Sequence, residues 1–168
     1  MALPGLNILV KFLRRPAVLA TLSATLLLIY IYRKKMILLY ADEIYKSLLN
    51  RGFSPLHAKM IVAQSAHETA GFTSHIFKSN HNCFGMKYAG QSSALGEKNG
   101  YAYYNSISQS TLDYKHWFER KLGTTNLQTF TATNLEQFVN WLKTRYYFED
   151  SASNYLRGCD YFYKQIYG

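Results

Sequence analysis

Charge is scarce in this chain, and acid is scarcer than base. Charged side chains make up 17% of the 168 residues, against 48% that are apolar. That balance excludes a disordered chain, which couples high charge to low hydrophobicity. The length suits one compact domain with an appendage. Cysteine is nearly absent, with Cys83 and Cys159 the two present. Two cysteines make no disulfide framework, and the default reading is a pair of buried thiols. Neither sits in a zinc-type spacing, so no metal site and no cofactor are expected. There are no internal repeats, no basic repeat and no RNA-binding pattern, so nucleic acid is not an expected partner.

Aromatic residues, in contrast, are abundant: they make up 16% of the chain, with fifteen tyrosines. Such a surplus suits a carbohydrate or peptide groove, where the ring stacks and the hydroxyl bonds, and it suits core packing equally. The net charge of +9 is unevenly spread. Residues 1–35 hold six Lys or Arg and no acid, leaving thirteen basic and ten acidic residues for the rest. The basic excess therefore reads as flanking charge around "RRPAVLATLSATLLLIYIYRKK". Pro16 to Tyr32 is uncharged for seventeen residues. With Tyr30 and Tyr32 at its end, it is expected to be a single uncleaved transmembrane helix. The expected division is thus a membrane anchor over 1–35 and a folded domain over 36–168. Residues 16–32 would contact the lipid bilayer.

The rest reads as mainly helical. "MILLYADEIYKSLLNRG" puts Leu38, Ala41, Tyr45 and Leu48 on one stripe, with Gly52 as a stop. Ser54 caps a second helix with Pro55 at its first position; Leu56, Met60, Ala63 and His67 share a face, and Gly71 ends it. Between residues 80 and 105 the composition turns to Gly, Asn and Ser. "FGMKY" and "YAYYN" are expected to pair as a hairpin around a loop. Three further helices follow. The first brings Tyr114, Trp117, Phe118 and Lys121 together. The second opens on Asn134 and Gln137 and buries Leu135, Phe138, Val139 and Leu142. The third aligns Tyr155, Cys159, Phe162 and Ile166. A helical lobe facing a hairpin lobe makes a cleft, with Glu68 at the helix end nearest it.

That glutamate, in "QSAHETAGF", ends an otherwise apolar helix. The negative end of the helix dipole and apolar neighbours both disfavour its ionised form. A carboxyl group with a raised pKa suits a general acid, such as one protonating a glycosidic oxygen. A glutamate near a helix end is also, commonly, a solvated surface residue.

Three motifs decide between these readings: "AQSAHETAGFTS", "NHNCFGMK" and "YAYYNSISQSTLDYKHWF", in that order. Over residues 40–165 the chain resembles the glucosaminidase family of peptidoglycan hydrolases, glycoside hydrolase family 73. The "HET" step is also similar to family 19 chitinases. The resemblance implies an α+β, mainly α, lysozyme-like domain with a small β-hairpin lobe. It implies Glu68 as the catalytic acid. Asn82, Phe84 and Gly85 match the turn that shapes the floor of the cleft. Tyr104, in the aromatic hairpin segment, and Tyr155 are the further substrate-binding residues it suggests. The family expects a second carboxylate on the hairpin lobe, and Glu97 is the only acid between Ala70 and Leu112. Asp113, Glu149 and Asp150 stand behind it. His67 is read as a packed or hydrogen-bonded histidine. Three departures mark the chain: Ala70-Gly71-Phe72 replaces Gly-Trp-Gly, Cys83 replaces leucine, and no Asp-Pro precedes Tyr155.

The resemblance implies a glycosidase cutting β-1,4 bonds of peptidoglycan glycan strands, at the N-acetylglucosaminyl bond, with a muramidase or a family 19 chitinase-like enzyme as further options. The expected setting is a membrane-anchored protein facing the cell wall or periplasm, or a virion membrane. Its expected use is local wall opening or bacteriophage entry and lysis. Two alternatives are a lytic transglycosylase and a non-catalytic membrane or virion protein that retains the fold. For the second, survival of Glu68 inside a matched motif counts against it.

Overall fold

A computed structural model describes residues 16–168. These fall into two units, one reaching Met36 and the other spanning Ile37–Gly168. The elements are α1 (Pro16–Asn50), α2 (Pro55–Glu68), α3 (His75–Asn80), β1 (Gly96–Lys98), β2 (Tyr101–Tyr103), α4 (Ile107–Leu122), a 3-10 turn (Leu127–Thr129), α5 (Leu135–Thr144) and α6 (Ala152–Tyr167). The described residues are mainly helical with one small antiparallel sheet.

The expected transmembrane helix is corrected. Among the described residues no helix is long and apolar enough to cross a membrane. Seventeen uncharged residues give about 26 Å of helix, short of a hydrocarbon core of about 30 Å. α1 then carries Arg33, Lys34 and Lys35 within its length. Bilayer contact through residues 16–32 accordingly has no support. The upstream basic flank, Lys11, Arg14 and Arg15, lies outside the described residues.

In the second unit, short polar side chains start the helices. Ser54, Ser74, Ser106, Asn134 and Ser151 each accept a hydrogen bond from the backbone N–H three residues on. Each such cap contributes about 1 kcal/mol. α2 is the central helix: His57, Ala58 and every residue from Met60 to Ala66 are buried. The amphipathic face expected of it is therefore incomplete, because Leu56 is exposed while Gln64 and Ser65 are buried. In α1 the buried stripe is Ala41, Ile44 and Leu48, with Leu38 exposed. Much of the aromatic surplus is core. Phe118 meets Phe53, Phe130 and Trp141 at ring-centroid distances of 5.2, 4.9 and 4.5 Å.

The hairpin differs from expectation. β1 is "GEK", not "FGMKY", and Glu97 lies opposite Ala102. Its turn is Asn99-Gly100, with φ of 56° and 76°. An Asn-Gly pair is the favoured two-residue hairpin turn, because both residues must take positive φ. The "FGMKY" segment is still tied to β2: Ala102 N–H donates to the Met86 carbonyl at 2.9 Å.

Candidate active site

α2 and α6 pack on each other more extensively than any other pair of helices. The crossing is close because Gly158 of α6 has no side chain. A Cβ there would lie 2.2 Å from Cε1 of His67. The His67 ring fills that space and meets Tyr155 edge-on, with centroids 4.8 Å apart. Burial holds the His67 imidazole below its ordinary pKa, against the pull of the Asp150 charge. His67 is thus a packing residue, as expected.

The next residue along, Glu68, ends α2. Its carboxylate accepts a hydrogen bond from the Tyr155 hydroxyl of α6. Tyr155 is itself buried and stacked on Phe148, rings parallel within 2° and centroids 3.7 Å apart. Burial raises the Glu68 pKa above the usual carboxylate range, and the Tyr155 hydrogen bond partly offsets that rise. The Tyr155 phenol is pushed well above its ordinary pKa, first by burial and then by its neighbours Tyr147 and Glu68. It stays protonated and so remains a donor.

Glu68 faces an open cleft of about 550 Å³, within the size range of ligand sites. Phe84, Gly85 and Met86 line it beside Trp117, Tyr146 and Tyr147. Lys87 and Arg120 add positive charge. Gly85 has φ of +62°, and a Cβ on it would stand 3.5 Å from Oε2 of Glu68. The glycine therefore lets the backbone turn close to the carboxylate. Phe84 is fixed from two sides. Its carbonyl accepts from the Tyr147 hydroxyl at 2.6 Å, and its ring stacks on Tyr114 at 4.1 Å.

The residues singled out from sequence separate into two groups. Glu68, Phe84 and Gly85 meet at the cleft. Asn82, Tyr104 and Tyr155 support it without being among its lining residues. Asn82 is fully buried; its amide donates to the Met86 and Ala102 carbonyls, and its oxygen accepts from the Phe84 and Met86 N–H groups. Tyr104 is also fully buried and donates to Asp113 at 2.6 Å. Asp113 reaches the cleft wall but is satisfied by three donors: Tyr104, Ser93 at 2.7 Å and Gln91 at 3.1 Å. Glu97 is exposed on β1 and is not among the lining residues. Cys83 and Cys159 are buried, free thiols, and burial pushes Cys83 up to about 12. Among the described residues no group of three or more His, Cys, Asp or Glu is placed to hold a metal ion.

Tyr146, unmarked in the sequence pattern, occupies an unusual position. Its φ is +57°, just past the end of α5. The Tyr147 N–H bonds to the Leu142 carbonyl and the Tyr146 N–H to that of Lys143. This is the Schellman closure, whose left-handed position glycine normally fills. A side chain there costs roughly 1–2 kcal/mol.

A partly buried carboxyl group of raised pKa, facing an aromatic-walled cleft in a helical domain, is the layout of a glycoside hydrolase. The family model described as Glucosaminidase: Mannosyl-glycoprotein endo-beta-N-acetylglucosaminidase matches residues 50–167, and the chain belongs to that family. It is a glycosidase acting on peptidoglycan. Searches of curated proteins and of solved structures returned no match.

Proposed function

We propose that this lysozyme-like domain cleaves a β-1,4 N-acetylglucosaminyl bond of the glycan strand, with Glu68 as general acid. The observation that carries this is the position of Glu68: at the cleft, buried enough to favour its protonated form, and held by Tyr155. The carboxyl proton passes to the glycosidic oxygen as the bond to the anomeric carbon breaks. Water then adds to that carbon, and its second proton is taken up by the carboxylate or by solvent. The family membership supports the N-acetylglucosaminidase type of activity. Such a catalytic unit would work where the cell wall is, opening it locally for an envelope machine or a bacteriophage.

A second reading is lytic transglycosylation, in which one acid suffices and a hydroxyl of the substrate closes a ring in place of water. The observation favouring it is that Glu97 is not among the residues lining the cleft. Mass spectrometry of borohydride-reduced products separates the readings. A reducible N-acetylglucosamine end is the expected product. A reducible muramic end would show a muramidase, and a non-reducible anhydro end a transglycosylase.

A further inference from the structure

α5 ends on a tyrosine where a glycine would cost less. Its neighbours show the usual solution: Gly52 follows α1 with φ of 92°, and Gly123 follows α4 with φ of 79°. Among the described residues four other non-glycine residues have positive φ, and local structure accounts for three of them. Phe72 is buried against Phe77, with ring centroids 5.3 Å apart. The His81 imidazole lies 3.1 Å from the Tyr104 carbonyl. Asn99 belongs to the hairpin turn. Ala70, the fourth, has only a methyl group to place.

Tyr146 has no such account. Its side chain is 92% exposed. Among the described residues its ring meets no other ring, and its hydroxyl has no hydrogen-bond partner. The fold therefore gains nothing visible from the ring, yet accommodates it at a strained position. That position is on the wall of the cleft that holds Glu68. A flat, unpartnered phenol at a cleft mouth fits a ligand with an apolar face and a polar edge. A pyranose has both: axial C–H groups on its face and hydroxyls around its rim.

We propose that Tyr146 is a stacking platform for a sugar ring of the glycan strand, and so a substrate-positioning residue of this enzyme. This rests on the glycosidase reading of the same cleft. The ring would bind a sugar flanking the scissile bond, holding the strand across Glu68 without touching the reacting atoms. Such a contact acts on ground-state and transition-state binding alike, so it lowers KM more than it raises kcat.

The test uses the full chain carrying Glu68→Gln, so that binding is read without turnover. The probe is a set of soluble glycan oligomers prepared from peptidoglycan, titrated by calorimetry. Adding Tyr146→Gly should weaken binding about tenfold, while Tyr146→Phe and Tyr146→Trp keep it within about threefold. Because glycine suits the left-handed position, Tyr146→Gly should melt at the same temperature or higher, so lost binding cannot be ascribed to lost fold. In a chain with Glu68 intact, Tyr146→Gly should raise KM about tenfold and leave kcat within about threefold. Unchanged affinity in Tyr146→Gly overturns the proposal, and so does a parent chain that binds none of the oligomers. Binding that depends on Tyr146 in a chain that never cleaves would uphold the platform and remove the hydrolase reading.

Discussion

The Tyr155 hydroxyl donates to the Glu68 carboxylate across 87 residues of sequence. This bond joins the end of α2 to the first turns of α6, and it acts on the acid in two ways. It fixes where the carboxyl group points. It also favours the ionised form, opposing the burial that favours the protonated one. Tyr155 thus orients the Glu68 carboxyl group and lowers its pKa without being among the cleft-lining residues.

Replacing Tyr155 by phenylalanine keeps the ring stacked on Phe148 and removes only the donor. Without it the Glu68 pKa should rise further. The alkaline limb of the kcat/KM profile should move to higher pH, while kcat itself falls about tenfold as the carboxyl group loses its fixed orientation. A drop in rate with no movement of the limb would mean that the phenol does not bond the acid in solution.

The raised pKa of Glu68 also predicts pH behaviour in the wild type. A general acid must be protonated, so activity should decline on the alkaline side as Glu68 ionises. Stability follows the same sign. A carboxyl group whose folded pKa lies above its unfolded one contributes fully below the unfolded value and loses that contribution as pH rises through the folded one. Glu68→Gln cannot ionise, so its melting temperature should exceed the wild type's on the alkaline side and approach it in acid. Thermal melts of both proteins across pH check this, and parallel curves would contradict the shift.

Gly158 lets α6 approach the His67 ring. Gly158→Ala should force the helices apart and destabilise the protein by about 1–3 kcal/mol, as overpacking does. Because Glu68 and Tyr155 stand on the two helices concerned, activity should fall by more than the loss of folded protein. Denaturant unfolding, paired with a rate per folded molecule, measures both parts.

Asp113 is held by three donors, and two of those bonds, from Tyr104 and Ser93, are buried. Asp113→Ala would leave buried hydroxyls unpaired and should cost about 3 kcal/mol or more. Asp113→Asn retains part of the network and should restore most of the stability. If Asp113 served catalysis instead, the asparagine variant would be stable and inactive.

Much of the helical framework is legible in the sequence, and the reason is local. Ser54-Pro55 and Asn134 are cap signals that act within one turn, and each marks a helix start in the structure. Glu68, Phe84 and Gly85 could be picked out because each sits in a short contiguous motif. The hairpin departs from the expected pairing of "FGMKY" with "YAYYN": its strands flank the Asn99-Gly100 turn, because in a hairpin the turn type fixes the register. The supporting roles of Asn82 and Tyr104 were not legible either, since their bonds go to Met86, Ala102 and Asp113 and exist only after folding. Gly158 and Tyr146 carried no pattern at all. One matters through a contact with another helix, the other through a backbone angle.

Glu68 is proposed to supply the proton. The experiment compares the rates at which this chain, wild type and Glu68→Gln, releases soluble fragments from purified peptidoglycan, with melting curves confirming that both are folded. The variant should be slower by about a hundredfold to ten-thousandfold, the usual worth of a general acid. A folded variant that retains more than about a tenth of the wild-type rate would contradict it.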